Sequence, residues 1–430
     1  MRPDATKSSS SPTAAPPIGG YRLPWLIRSI NRLLDPVGTR LWPVEAAELA
    51  DRARARTGLS DFGDLAPFEE PLEILCRSAN QEVDLSVFGR LMVRRLLTQP
   101  MVHRLRLTEL AARQPELFEK PVNAPLFVVG MPRSGTTFLH RTMARDHAWH
   151  HMPFWESLEP IPAGGTSRGS GPDPRVRTGE RFVRAMSWTF PGFVDSHEIA
   201  NDEPEEEMPL LDAAHVSLQF GFGYFPEYTR WYTDADHSGG YRLLRQYLQA
   251  MQADRPDGGR WLLKTPTHLE MLRPLLTVFD DATVVQTHRD PISSLVSLAA
   301  LSTFSTGMLL RNPNLHHIGQ LCADYIERAL RSMVDYRDSA EGIANADQFV
   351  DVAFGELVSD PIGTVTRISS AVGHEPDDTA MEEMRAFTAR ADGHRSRQRF
   401  TMDDFGLDKN ELRERFKFYY ERFDVPMDRV

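Results

Sequence analysis

The sequence predicts a three-layer α/β/α fold of the P-loop-like kind, with a central parallel sheet and a helical N-terminal region. The first observation is a set of four short, continuous apolar runs separated by helix-length segments, as expected for buried parallel strands. The runs are APLFVVG, RWLLK, ATVVQTHRD and DQFVDVAF, which begin at residues 124, 260, 282 and 347. The second observation is that the first run passes into GMPRSGTT, a glycine-containing turn before a helical segment. Such a strand, loop and helix form a phosphate-binding cradle in P-loop proteins.

The composition is that of a soluble globular protein. The 430 residues are 41% hydrophobic and carry a formal net charge of −11, which argues against nucleic-acid binding. A small anionic ligand needs only a local basic pocket. Two cysteines, Cys76 and Cys322, are too few for a disulfide framework. No stretch approaches the roughly 20 apolar residues of a spanning helix, and residues 1–20 lack a secretory core, so we expect a cytoplasmic protein.

Three segments follow from the pattern along the chain. Residues 1–20 are rich in Ser, Pro, Ala and Gly, and we expect a disordered tail. Residues 21–120 have a helical pattern, in which EAAELADRARARTG ends at a glycine stop, Gly58, and DLSVFGRLMVRRLL opens at an aspartate cap, Asp84. Residues 121–430 form the α/β domain.

The segment YRLPWLIRSINRLL, within residues 21–35, combines apolar residues at helical spacing with arginines. A basic amphipathic helix can lie on a membrane surface, so peripheral membrane contact is one interpretation. Packing of the apolar stripe on the protein's own domain is the favoured interpretation, because such stripes usually face a core.

The loop PLFVVGMPRSGTT, residues 125–137, has the features of an anion site. The backbone amides of residues 133–137 lie at a helix N-terminus, where unpaired N–H groups and the helix dipole attract negative charge. Arg133 adds a fixed positive charge. A nucleotide kinase would carry lysine where Thr136 stands, and the hydroxyls of Thr136 and Thr137 cannot neutralise a triphosphate.

Two further motifs stand at the ends of predicted strands, where ligands of open α/β folds bind. Lys264 ends RWLLK, where a lysine can stabilise charge on a leaving group, and His268 follows four residues later. Arg289 ends another strand. Asp290 and a proline then open a helix that carries Ser297 eight residues after the arginine. An arginine and a hydroxyl in this arrangement can bind a second phosphate.

Together these motifs resemble the sulfotransferase superfamily, whose members use 3′-phosphoadenosine 5′-phosphosulfate (PAPS) as donor. The resemblance covers the chain from about residue 44 to its end and is closest to a bacterial branch with a helical N-terminal extension. It is carried by VGMPRSGTTFLHRTMARD, FWESLEPIP, DEPEEE, WLLKTPTHL, THRDP and FTMDDFGLD. The resemblance implies PAPS as co-substrate and no metal.

The resemblance also assigns residues to parts of the donor. The loop residues that would hold the 5′-phosphosulfate are Arg133, Ser134, Gly135, Thr136 and Thr137. Arg289 and Ser297 would bind the 3′-phosphate, and Lys264 would contact the bridging oxygen. Arg395 and Arg397 stand where the family places a C-terminal loop that helps to close over the nucleotide.

Two residues are candidates for the base that accepts the proton of the acceptor hydroxyl. Cytosolic sulfotransferases place a histidine two residues after the strand lysine, which indicates His268, although it lies four residues after. Tyrosylprotein and some bacterial glycolipid sulfotransferases use a glutamate after the loop helix, which indicates Glu156 in FWESLEP. The acidic run HEIANDEPEEE, residues 197–207, is either a solvated face or part of the acceptor site.

The predicted function is in-line sulfuryl transfer from PAPS to a hydroxyl of a small-molecule or lipid-like acceptor that the sequence does not identify. One alternative is an ATP-dependent kinase, which Thr136 and the lack of an acidic strand end for magnesium disfavour. The other is a non-catalytic nucleotide-binding regulator, which the presence of Lys264 disfavours. The oligomeric state stays open, and a homodimer would be the commonest arrangement.

Overall fold

The computed structural model describes residues 23–64, 68–164, 173–189, 199–216, 224–255, 258–391 and 400–428. The predicted tail at residues 1–20 lies outside these ranges. So do Arg395 and Arg397, whose predicted contact with the nucleotide stays a prediction.

A five-stranded sheet forms the centre of the fold, and all of its strand pairs are parallel. The strands are β1 Leu126–Gly130, β2 Trp149–His150, β3 Arg260–Lys264, β4 Thr283–His288 and β5 Phe349–Ala353. Their spatial order is β2-β3-β1-β4-β5, which places β1 in the middle. The four predicted strands are confirmed. The short edge strand β2 leaves no periodic signal in the sequence, because it contains only two residues.

Strand β1 is buried along its whole length because helices cover both faces of the sheet. Its side chains enter two hydrophobic clusters in alternation: Phe127 and Val129 belong to one, Leu126 and Val128 to the other. A strand buried on both faces has no polar side, so its sequence is continuously apolar. The predicted three-layer α/β/α class with a parallel sheet is therefore confirmed.

Helices precede, separate and follow the strands. The α-helices are α1 Trp25–Leu41, α2 Ala46–Thr57, α3 Glu69–Gln81, α4 Val87–Arg113, α5 Thr136–Met143, α6 Phe154–Leu158, α7 Pro174–Thr189, α8 Met208–Asp212, α9 Pro226–Asp234, α10 Ser238–Gln252, α11 Leu272–Val278, α12 Pro291–Leu309, α13 Leu315–Asp338, α14 Ala340–Ala344, α15 Phe354–Ser359, α16 Pro361–Ala371, α17 Asp378–Ala391, α18 Lys409–Arg415 and α19 Lys417–Phe423. Short 3₁₀ helices occupy Pro115–Glu119, Pro266–Glu270, Ala346–Gln348 and Asp403–Phe405.

The N-terminal region is helical, as predicted. Gly58 follows α2 in the left-handed conformation, with φ of 72°, so the predicted glycine stop is confirmed. Leu75 of α3 and Leu97 of α4 belong to the same hydrophobic cluster as Phe127 of β1. Helices α3 and α4 therefore share a core with the sheet, and the division of the chain at residue 121 into two domains stays a prediction.

Helix α12 is long and apolar enough, by length and composition, to cross a membrane, and it is the one such helix among the described residues. The sequence pattern does not predict a spanning helix here, because serines and threonines interrupt the apolar residues. Within the fold, 67% of the 18-residue apolar stretch of this helix is buried. This degree of burial is typical of a core helix.

The start of α4 differs from the sequence prediction. Ser86 precedes the first helical residue, and its Oγ accepts a hydrogen bond from the Gly89 amide at 2.9 Å. Asp84 lies outside the helix and forms an ion pair with Arg311, with 3.3 Å between carboxylate and guanidinium. The predicted aspartate cap is therefore wrong, because only a side chain directly before the first turn reaches the free amides.

We expect the substitution Ser86→Ala to lower the free energy of unfolding by about 1 kcal/mol, because the Gly89 amide loses its acceptor. Asp84→Ala is the matched control, and removal of its exposed ion pair should cost less. Urea unfolding of both variants measures the difference. A larger loss for Asp84→Ala would contradict the assignment of the cap.

Candidate functional site

The three sequence motifs meet at the carboxyl edge of three adjacent strands. The loop at residues 131–135 follows β1, Lys264 ends β3, and Arg289 follows β4. Because β1 lies between β3 and β4, Lys264 stands on one side of the loop and Arg289 on the other. The chain forms β1, β2 and β3 on one side of the sheet before it crosses β1 to form β4 and β5 on the other. Ligands of open α/β folds bind in the crevice where the strand order reverses in this way.

The loop is anchored by the side chain of Ser134. Its Oγ donates to the Met131 carbonyl at 2.6 Å and shares a hydrogen bond of 2.7 Å with Thr287 Oγ1 on β4. The Ser134 amide is also bonded to the Met131 carbonyl, at 3.1 Å. Within the described ranges, the amides of residues 135–137 have no acceptor, and residues 136 and 137 begin α5. The Arg133 amide has no acceptor among the described residues either, so four of the five amides of residues 133–137, all but that of Ser134, form the free part of the cradle.

The loop depends on unusual backbone conformations. Gly135 has φ of 90° and Arg133 has φ of 71°. Residues other than glycine rarely adopt this left-handed conformation. Gly130 is needed for a different reason. A Cβ at this position would lie 2.2 Å from Thr287 Oγ1 and 2.7 Å from Ser134 Oγ, so only glycine leaves room for the anchoring hydrogen bond.

The residues predicted to bind two different phosphates contact one another directly. Arg133 Nε donates to Ser297 Oγ at 3.1 Å, and Arg289 Nη1 donates to the Arg133 carbonyl at 2.7 Å. The Arg289 guanidinium stacks on the Phe354 ring, 4.0 Å from its centroid, and its Nε lies 3.5 Å from the Asp428 carboxylate.

The charge at the loop is suited to an anion. Burial first, and the neighbouring charge of Arg289 second, lower the pKa of Arg133 below its ordinary value. Arg133 forms no ion pair with any described residue. A bound anion would relieve the repulsion between the two guanidinium groups.

Lys264 is buried and held by two carboxylates from the acidic run. Its Nζ donates to Glu206 Oε1 at 2.6 Å, and its backbone amide donates to Glu207 Oε2 at 2.9 Å. The run therefore does not form only a solvated face, since two of its glutamates belong to the lysine's environment. The described residues contain no group of three or more His, Cys, Asp or Glu side chains arranged to hold a metal ion.

His268 lies close to Lys264, but both of its ring nitrogens are occupied. Nδ1 shares a hydrogen bond of 2.7 Å with the Tyr241 hydroxyl, and Nε2 contacts Glu207 Oε1. The ring is fully buried and packs edge-on against Phe127. Glu207 thus connects His268 to the backbone of Lys264, an arrangement that orients the lysine.

Glu156 lies in a separate ion-pair cluster. Its carboxylate accepts from Arg255 Nη2 at 2.5 Å, and Arg175 Nη2 lies 3.9 Å away. The Arg255 guanidinium stacks on Trp261, which stands three residues before Lys264, about 10 Å back along β3. The structure therefore brings Lys264 and His268 together and places Glu156 in a cluster that adjoins the other end of the strand.

Sequence reasoning reached Glu206 and Glu207 only as members of the acidic run, and it did not point to Tyr241 or Thr287. The stretch DEPEEE carried part of the family resemblance, and this was the available signal for the two glutamates. No pattern distinguishes Glu206 from its neighbour Glu205, because the difference arises only when the segment packs beside β3.

We expect Gly130→Ala to lower the free energy of unfolding by about 1–3 kcal/mol, because the new methyl group overlaps Thr287 and Ser134. Gly355→Ala is the matched control: no atom lies within 4 Å of the added Cβ, and the residue is helical. Thermal and urea unfolding compare the two. Equal stability of both variants would show that the loop tolerates the side chain.

Comparison with known proteins identifies the family of the chain. A model of the sulfotransferase family matches residues 125–378, more than half of the chain. A search of curated protein sequences found no match.

Two solved structures are similar over most of the chain. Sulfotransferase STF9 from Mycobacterium avium has a TM-score of 0.78 and 26% identity, over 89% of this chain and 98% of its own. Sulfotransferase STF1 from Mycobacterium tuberculosis H37Rv has a TM-score of 0.77 and 29% identity, over 87% of this chain and 99% of its own. These shares exceed the part of the chain after residue 124, so the likeness extends into the N-terminal helices. From the family match, the site and the fold together, the chain belongs to the sulfotransferase family.

Proposed function

We propose that the protein transfers a sulfuryl group from PAPS to a hydroxyl of a small-molecule or lipid-like acceptor. The contact of Arg133 with Ser297 and Arg289 carries this proposal. It joins the β1 loop, which suits the 5′ end of the donor, to an arginine and serine that suit its 3′-phosphate. Lys264 stands across the same loop on β3.

Different groups of the protein would bind different parts of the donor. The free amides of residues 135–137 and the N-terminal dipole of α5 would hold the phosphosulfate, with Arg133 as the fixed charge. This end of PAPS carries less charge than the triphosphate of ATP, so neither a loop lysine nor a metal is required. Arg289 and Ser297 would hold the 3′-phosphate.

In the reaction, the acceptor oxygen forms a bond to sulfur while the bond from sulfur to the bridging oxygen breaks. The bridging oxygen leaves with the electron pair as part of adenosine 3′,5′-bisphosphate. The Lys264 ammonium group would stabilise the charge that develops on this oxygen. The proton of the acceptor hydroxyl passes to a protein base within hydrogen-bond reach.

We propose Glu206 as this base, beside the two candidates indicated by the sequence. The Glu206 carboxylate contacts Lys264 Nζ, and its side chain is 16% exposed, whereas that of Glu156 is 3% exposed and that of His268 is enclosed. Both nitrogens of His268 already have partners, and Glu156 is paired with two arginines. Once Lys264 contacts the leaving oxygen, Glu206 is the carboxylate that remains beside it.

The alternatives make different demands on the site. A kinase would need a charge at position 136, where the structure has the small hydroxyl of a threonine. A non-catalytic regulator would not require Lys264, which is buried and held by Glu206 and Glu207. The cytoplasmic location and a homodimer stay proposals. The first agrees with Cys76 and Cys322, which are both buried and free.

Calorimetry tests the donor site. We expect adenosine 3′,5′-bisphosphate to bind without magnesium and more tightly than ATP. Arg289→Gln should weaken this binding about 10- to 100-fold, because charge-assisted hydrogen bonds contribute about 1.5–3 kcal/mol. Arg245→Gln, an exposed arginine of α10, is the control and should bind normally. Magnesium-dependent ATP binding in place of bisphosphate binding would contradict the proposal and favour the kinase.

Transfer of ³⁵S from labelled PAPS to a panel of simple alcohols and phenols tests the catalytic residues. Glu206→Gln should lower kcat about 10²- to 10⁴-fold at saturating PAPS, the range for loss of a general base. Lys264→Ala should also lose transfer, and both variants should still bind adenosine 3′,5′-bisphosphate.

Glu156→Gln and His268→Gln, measured in the same assay, discriminate between the three candidates. Thermal melting establishes that each variant is folded. If Glu206→Gln keeps full activity and a folded Glu156→Gln or His268→Gln loses transfer, the residue whose substitution abolishes transfer is the base, and Glu206 is not.

A further inference from the structure

Helix α1 presents an apolar stripe to solvent. Leu26, Ile30, Leu33, Val37 and Leu41 recur at steps of three or four residues, which places them on one face of the helix. Their exposed fractions range from 42% for Ile30 to 76% for Leu33, and Trp25 at the start of the helix is 72% exposed. A stripe of this length and exposure on a folded protein marks an interaction surface.

The opposite face of α1 is polar and attaches the helix to α4. Asn31 Oδ1 accepts from the Phe88 amide at 3.0 Å, and Asp35 Oδ1 accepts from the Val87 amide at 2.7 Å. Gly38 packs against Val87, where a Cβ would lie 2.6 Å from the valine side chain. The expectation from the sequence, that the apolar residues of this segment face the protein's own core, is therefore wrong for Leu26, Ile30 and Leu33, which are exposed. The helix does pack on its own domain, but through its polar face.

Three exposed arginines accompany the stripe: Arg28, Arg32 and Arg40. None of them pairs with a carboxylate of the described residues. The single acidic residue of α1 is Asp35, which is directed to α4. The helix is thus locally basic on a chain whose formal net charge is −11.

We infer that α1 docks this protein on an anionic lipid surface, with the apolar stripe in the lipid and the arginines at the headgroups. An apolar face combined with arginines is the pattern of helices that lie in a membrane interface. A second copy of the chain fits less well. Helix α1 offers no free carboxylate that could pair with the arginines of a second α1 helix. This inference does not rest on the proposed function.

Vesicle flotation of the full chain tests the inference. We expect the protein to float with vesicles that contain about 30% phosphatidylserine and not with pure phosphatidylcholine, and to be released at about 0.5 M salt, where screening is strong. The double substitution Leu33→Gln and Val37→Gln should reduce the bound fraction about tenfold. Replacement of all three arginines by glutamine should remove the preference for the anionic lipid.

Ile343→Gln is the matched control, because Ile343 is 65% exposed on α14, away from the stripe. It should float as the parent does, and circular dichroism establishes that each variant is folded. No flotation of the parent with anionic vesicles would overturn the inference, as would equal binding to both kinds of vesicle. A dimer in light scattering that the double substitution converts to a monomer would assign the stripe to an interface between copies.

Discussion

The hydrogen bond between the side chains of Ser134 and Thr287 is the contact on which the rest of the site depends. It ties the loop after β1 to the neighbouring strand β4, and it exists only because Gly130 has no Cβ. With Ser134 fixed in this way, the chain turns left-handed at Arg133 and Gly135 and enters α5 with the amides of residues 133 and 135–137 free. The carbonyl of Arg133 then lies where Arg289 reaches it. One buried contact thus orders both the loop and the second arginine.

The two sides of β1 differ in the charge of the side chains that line the site. On the β4 side Arg133 has no carboxylate partner among the described residues and Arg289 has the partly exposed Asp428, whereas on the β3 side Lys264 is enclosed by Glu206 and Glu207. Buried charges are tolerated when they are paired, so the lysine side is complete in itself while the arginine side favours an added anion. A donor that carries its negative charge on phosphates is attracted to the arginine side. A neutral hydroxyl is compatible with the carboxylates, which could only repel a second anion.

Features set by local sequence could be predicted, and features set by distant contacts could not. The strands, the loop and the spacing from Arg289 to Ser297 follow from short runs whose geometry the backbone fixes. The partnership of Lys264 with Glu206 joins residues 58 positions apart, and no local pattern encodes it. Likewise, the buried partners of His268, the choice of Ser86 over Asp84 as a cap and the outward face of α1 are decided by what each segment packs against.

Helix α12 connects the candidate site to the N-terminal helices. It begins at Pro291, two residues after Arg289, and its 19 residues span about 28 Å to Leu309. There the Leu309 carbonyl accepts the Ser86 amide, and it packs so tightly on Gly89 that a Cβ would lie 1.9 Å away. Since α1 is attached to the same first turn of α4, α12 sets the separation between the loop after β1 and the exposed stripe. The β1 loop and the apolar stripe of α1 are thus held apart by the length of a single helix.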